Sequence, residues 1–256
     1  MVLAPRPEQN DCRLFLLLLR DLLDGREASR ESLRQLRRWL HWQGQDRWRT
    51  LVKAIEALPA ENHYDLQRAL STGQIESKLW LIEMLKGIVE PKRRYGFLII
   101  GGWVGVLPLL LDILMPESVN TIRQIDIDPM ANRLAAHLNK DLISAGRMRV
   151  FDRNALEFDY GFEHEIIVNT SCEHFTPEEM HAWMARVPKD RYLVLQTNDF
   201  QGEPGHVNCV PDVFTFRKSL PLKSTLFTGE LAFEAYRRFM VIAVSEQGEL
   251  AHVRAR

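Results

Sequence analysis

The sequence predicts an α/β protein in which a helical region precedes a doubly wound, mostly parallel sheet. Three observations carry this. Apolar residues at helical spacing fill residues 1–90, with no alternating strand among them. After the basic link Pro91-Lys-Arg-Arg94, short apolar runs alternate with helical segments, the pattern of successive βαβ units. The first of those runs ends in a cluster of glycines, the usual corner between a strand and a helix. The expected division is a helical cap, 1–90, and a sheet domain, 91–256.

Taken in order, Leu14, Leu17, Leu18 and Leu22 recur at helical spacing and point to a first helix ending near Gly25. Ser29 opens a second helix through Leu33, Leu36 and Leu40, with Glu31 as an early-turn acid that suits the helix dipole. Trp48, Leu51, Val52, Ile55 and Leu58 continue the pattern until Pro59. Ile75 to Val89 carries Leu79, Ile82, Leu85 and Ile88 along one stripe of a further helix. The strands are expected at Phe97–Ile100, Thr121–Ile125, Met148–Phe151, Glu165–Asn169 and Tyr192–Gln196. Two last β segments, Lys223–Phe227 and Arg238–Val244, flank a connection around Gly229–Tyr236.

Composition narrows the function classes. The chain has 256 residues, 46% hydrophobic and 26% charged, with net charge −1. That near-neutral balance argues against a protein whose main task is gripping nucleic-acid backbone. Leu14–Leu19 is too short to span a bilayer, and Arg13, Arg20 and Asp21 bracket it, so no membrane partner is expected. Pro5, Arg6, Glu8 and Asp11 precede the leucines, which argues against a signal peptide. Three cysteines form no disulfide framework, and a cytoplasmic location is expected. Arg34, Arg37, Arg38, Trp39, Trp42, Arg47, Trp48 and Arg49 form a basic, aromatic stretch. It could stack and neutralise a nucleic acid, but an amphipathic helix that buries tryptophans and solvates arginines accounts for it better.

The most informative segment runs from Phe97 to Pro129. An apolar run leads into Gly101, Gly102 and Gly105, a second run follows, and the next strand ends in Asp126. A glycine turn lets backbone approach a ligand, a helix N-terminus offers unpaired N–H groups, and the acid can accept ribose hydroxyls. The turn reads Gly101-Gly-Trp-Val-Gly105, not the GxGxxG of dinucleotide sites. In this arrangement the chain resembles the class I S-adenosylmethionine-dependent methyltransferases over roughly residues 95–245. The resemblance implies a seven-stranded sheet whose last two strands form its reversed end. It implies S-adenosyl-L-methionine as cofactor, with Gly101, Gly102 and Gly105 near its methionine part and Asp126 on the ribose. Asp152 or Asn154, after the third strand, would meet the adenine amino group, and Asn169 closes the expected cofactor set. Trp103 and Val104 are bulkier than that family's turn usually carries; Trp103 either stacks on the ligand or wedges the helix. Asp128 is expected to cap the next helix, with Pro129 in its first turn.

Chemistry is expected beyond the carboxyl ends of strands four and five. There stand Asn169-Thr-Ser-Cys-Glu-His174 and Gln196-Thr-Asn-Asp199, followed by Gly205-His-Val-Asn-Cys209. Three readings compete. Glu173 or His174 could take a proton from the acceptor, His174 having a suitable pKa. Cys172, His174, His206 and Cys209 could hold a metal as CxH…HxxC, although CxH is a poor chelate spacing, and no metal is assigned. Cys172 could be a nucleophile like that of the pyrimidine C5 methyltransferases, but their Pro-Cys-Gln is absent. The Asn/Asp-Pro-Pro-aromatic motif of exocyclic-amine methyltransferases is absent too. The expected catalytic set is therefore His174 and Glu173, with Cys172, Asp199 and His206, and Asn169, Gln196 and Asn198 orienting a small-molecule acceptor. The expected activity is methyl transfer. Aminocarboxypropyl transfer, as in nicotianamine-synthase-like enzymes, and a noncatalytic or RNA-binding scaffold are the alternatives.

Overall fold

The computed structural model describes residues 7–24, 29–42, 46–59, 62–161 and 163–246. Among these, five helices come first: α1 (Pro7–Asp24), α2 (Ser29–Trp42), α3 (Asp46–Glu56), α4 (His63–Ala69) and α5 (Thr72–Lys86). The Gly25 end of the first helix and the side chains of Trp39, Trp42 and Arg47 lie outside the described residues.

The buried face of α1 is not the expected one. Cys12, Leu16, Leu19 and Leu23 are buried, whereas Leu14 is 64% and Leu18 47% exposed. Phe15 to Leu19 puts an apolar residue on nearly every side, so periodicity alone does not choose the face. Packing does: Phe15 meets the Trp48 ring at 4.3 Å, and the Arg13 guanidinium donates to Glu76 of α5 at 2.7 Å. Helix α5 departs from a single stripe as well. Ile75, Leu79, Leu81, Ile82, Leu85 and even Lys78 are buried, as expected of a helix enclosed on most sides.

The remaining elements alternate. They are β1 (Tyr95–Ile100), α6 (Val106–Leu114), β2 (Val119–Asp126), α7 (Pro129–Leu138), α8 (Lys140–Ser144), β3 (Met148–Asp152) and β4 (Ile166–Asn169). A 3-10 turn, Cys172–His174, precedes α9 (Pro177–Arg186), β5 (Tyr192–Asn198), α10 (Val213–Lys218), β6 (Leu222–Ala232) and β7 (Arg237–Ser245). The sheet order is β3-β2-β1-β4-β5-β7-β6, with β7 antiparallel to both neighbours and the other pairings parallel. This is the expected seven-stranded, mostly parallel α/β sheet. The expected connection at Gly229–Tyr236 is shorter, because β6 runs on to Ala232 and Phe233 N–H closes the hairpin onto Tyr236 O.

Alternation along the strands feeds two cores. Phe97, Ile99, Val168, Val194 and Ile242 join a core shared with α1, α3, α5 and α6. Leu98, Ile100, Ile167, Leu193 and Leu195 join another with Trp183 and Met180 of α9 and Phe216 of α10. Each such fully buried aliphatic side chain contributes roughly 1.5–3 kcal/mol of transfer free energy. The helical region thus shares a continuous core with one face of the sheet. Among the described residues, no helix is long and apolar enough to cross a membrane.

Candidate functional site

Five parallel strands end on one edge, at Ile100, Asp126, Asp152, Asn169 and Asn198. The sheet order reverses between β1 and β4, which opens a crevice there. A cavity of about 910 Å³ occupies it.

The glycine turn forms one wall. Gly101 and Gly105 have φ of 59° and 78°, and Trp103 takes a left-handed 47° without being glycine. The end of β2 holds that residue in place: Trp103 N–H donates to Asp126 Oδ2 at 2.8 Å, and Gln124 Nε2 donates to Trp103 O at 2.8 Å. A Cβ at Gly102 would fall inside the Gln124 side chain, and one at Gly105 would meet Asn139 Nδ2 and Ala135 Cβ at 2.7 and 2.8 Å. Packing within the protein therefore already demands those two glycines. Asp126 lines the cavity, its Oδ1 accepting from Asp128 N–H at 3.0 Å. Asp128 caps α7 by accepting from Met130 N–H, with Pro129 in the first turn, as expected.

The opposite wall comes from the segments after β4 and β5. Glu173 is 3% exposed, and its Oε1 accepts from Asn198 Nδ2 at 2.8 Å and pairs with Arg238 at 3.4 Å. Register explains the trio, since Asn198 lies directly opposite Arg238 in the β5–β7 ladder. His174 Nδ1 lies 2.9 Å from Gly205 O, and His206 Nδ1 lies 2.8 Å from Phe200 O. A carbonyl only accepts, so each neutral ring carries its proton on Nδ1 and a lone pair on Nε2. The two rings meet edge to face with centroids 4.9 Å apart.

Of the expected site residues, Gly101, Gly102, Trp103, Asp126, Asn154, Glu173, His174, Asn198 and His206 line this one cavity. Gly105 sits behind the turn as the residue preceding α6. Others are placed elsewhere. Asp152 is held by Asn132 Nδ2 at 2.8 Å, and Asn169 is fully buried with its Oδ1 accepting from Ser171 N–H; neither lines the cavity. The Cys172 thiol is buried against Asn169 O, and burial pushes its pKa well above the ordinary thiol value, so it does not present a nucleophile. Asp199 is taken up by Arg237, whose backbone N–H and Nε it accepts at 2.7 and 2.9 Å. Gln196 is buried and donates to Ser77 O. The CxH…HxxC set is not brought together as a whole: Cys172 turns into the core, while Cys209 Sγ lies 3.7 Å from His206 Nδ1 and His206 meets His174. Among the described residues, Glu173, His174 and His206 converge instead.

The sequence predicts a helical cap but not which of its side chains reach the site. Arg68, Gln74 and Lys78 line the cavity from α4 and α5, with Tyr236 and Arg238 from the β6–β7 end. Lys78 donates to Gln74 Oε1 at 2.5 Å, and burial, then Arg238, lowers its pKa to about 7 while Glu173 opposes the shift. Its spacing in an otherwise apolar helix does not tell a solvated lysine from a buried one, and the fold decides. Arg68 lies 5.8 Å from the Trp103 ring centre and pairs with Glu203 at 3.5 Å, joining α4 to the loop after β5. Ile127, 75% exposed, adds apolar surface next to Asp126. The arginine-rich stretch lies apart. Arg37, Arg38, His41, Arg49 and Lys53 line a second hollow of about 490 Å³ with Lys140 and Asp141.

No protein-family model and no curated protein matches the chain. Solved structures do. Magnesium protoporphyrin IX methyltransferase from Synechocystis PCC 6803, with bound S-adenosylmethionine, is 16% identical; the match covers 84% of this chain and 97% of that one, with TM-score 0.50. Geranyl diphosphate methyltransferase, also in complex with S-adenosylmethionine, is 10% identical over 74% of this chain and 93% of its own, with TM-score 0.53. The [4+2]-cyclase SpnF is similar too, 10% identical over 70% and 85%, with TM-score 0.54. At these identities the likeness establishes the fold, that of the class I methyltransferases.

Proposed function

We propose that this chain is an S-adenosylmethionine-dependent methyltransferase acting on a small-molecule acceptor. The observation that carries the reading is Asp126, which ends β2, clamps the glycine turn and lines a cavity that continues to Glu173, His174 and His206. Each Asp126 oxygen already accepts one backbone N–H, and each retains acceptor capacity for a ribose hydroxyl. Ile127 offers an apolar face for a flat ring. The wall carries six acids against four lysine and arginine side chains, a balance that suits a sulfonium. When bound, the cofactor supplies an activated methyl group. The acceptor belongs at the far wall, where Asn198 and His206 orient it and the Nε2 lone pair of His174 takes its proton. In this reading, residues 1–90 act as the cap: α4 and α5 cover the cavity and the Arg68–Glu203 pair closes it, limiting water. Residues 91–256 then form the cofactor-binding domain. The cysteines among the described residues are all free, which fits a reducing compartment such as the cytoplasm.

Titration calorimetry with S-adenosylmethionine tests the first half of the reading, and absence of heat at about millimolar ligand would refute it. Incubation with a metabolite extract tests the second. S-adenosylhomocysteine as coproduct supports methyl transfer, whereas methylthioadenosine would assign aminocarboxypropyl transfer instead.

A further inference from the structure

We propose that Glu173, His174 and His206 bind a divalent first-row transition-metal ion at the acceptor end of the cavity. One donor atom from each residue lies within 4.8 Å of the other two. The three come from two separate segments, the 3-10 turn after β4 and the loop after β5, so the fold assembles them. Both imidazoles are oriented as metal ligands are, with Nδ1–H donated to a backbone carbonyl and Nε2 left as a lone pair. Gly205, at φ 84°, takes the left-handed conformation that turns the loop carbonyl onto His174.

Glu173 supplies an independent observation. Asn198 and Arg238 both engage Oε1, while Oε2 is buried with no hydrogen-bond partner among the described residues. An unpartnered buried carboxylate oxygen is costly, and a cation offsets that cost. Two imidazoles and one carboxylate select zinc, iron, cobalt or manganese over magnesium or calcium. The cavity wall carries more acids than bases, with Asp65, Glu179 and Glu203 among the acids and Lys78 and Arg238 among the bases. Three protein ligands leave coordination positions for the acceptor, which is thereby a molecule presenting hydroxyl or carboxylate oxygens. A hydroxyl coordinated there ionises more easily, so the cation takes over the proton-handling role assigned above to His174. The metal site itself does not depend on the cofactor reading, whereas the acceptor's coordination to it rests on the proposed function.

The test uses the full chain stripped with chelator, titrated with Co²⁺ by visible absorption and with Zn²⁺ by calorimetry. One equivalent should bind, and Glu173→Gln and His206→Ala should each weaken it by at least about tenfold. His181→Ala, on the exposed side of α9, serves as the control and should leave metal affinity unchanged. Circular dichroism on the same stripped proteins reports whether each variant is folded. Folded, stripped protein that binds neither metal overturns the metal site, and S-adenosylmethionine binding by that protein would leave the cofactor reading standing. Metal affinity unaffected by both substitutions overturns it equally.

Discussion

Replacing Asp126 by Ala probes the point where fold and proposed function meet. The carboxylate accepts Trp103 N–H at 2.8 Å and Asp128 N–H at 3.0 Å. Hydrogen bonds to a charged group contribute roughly 1.5–3 kcal/mol each when sheltered. Asp126 is only half-buried, so solvent screening reduces the pair to about 2 kcal/mol together. Trp103 also loses one of two clamps on a left-handed conformation that disfavours a side-chain-bearing residue by about 1–2 kcal/mol. A fall in melting temperature of about 4–8 °C follows, at about 2–4 °C per kcal/mol for a chain of this size. Loss of the ribose contacts should remove a further 3 kcal/mol or so of binding free energy, about a hundredfold in Kd for S-adenosylmethionine. Calorimetry below the transition separates the two effects, with circular dichroism reporting the fold. Asp126→Asn should lose nearly as much affinity, because its amide turns an N–H toward one of the backbone donors. A folded Asp126→Ala protein that binds the cofactor within about threefold of wild type would refute the ribose assignment.

Gly102→Ala should destabilise by about 1–3 kcal/mol, since the added methyl displaces Gln124 and frees the Trp103 carbonyl; an unchanged urea midpoint would contradict this. Lys78 predicts a pH dependence. Its folded pKa of about 7 lies below the ordinary 10.5, so between those values the unfolded chain holds a proton that the folded chain releases, and stability rises with pH. From about pH 7 to about pH 8.5 the gain reaches about 2 kcal/mol at most, and Lys78→Met should flatten it in urea titrations. The window stops there because buried thiols act oppositely above it, Cys12 being pushed up to about 12. Arg238→Met should cost about 3–5 kcal/mol by leaving Glu173 buried and uncompensated. Adding Glu173→Gln should restore part of that loss, and strictly additive effects in a double-mutant cycle would show the pair to be uncoupled.

Much of this molecule is legible in local pattern. The seven strands, the glycine corner, Asp126 at the end of β2 and the Asp128 cap all depend on residues within one or two turns of chain. The polar segments after β4 and β5 were legible too, because strand ends in a parallel sheet gather on one edge whatever their length. The choice within those segments was not. Cys172, Glu173 and His174 are consecutive, and a tight 3-10 turn sends the thiol into the core and the other two to the cavity.

The sequence by itself determined most of the elements and their order, because hydrophobic period, glycine and proline act over a few residues; α4 (His63–Ala69), too short to show a period, is the exception. The tertiary structure alone decided which face of α1 is buried and that Lys78 and Arg68 enter the cavity. It likewise decided that Arg238 neutralises Glu173 and that His174 meets His206. Those outcomes rest on contacts between segments far apart in the chain, whose energies depend on how the helices seat on the sheet. No local pattern encodes that seating.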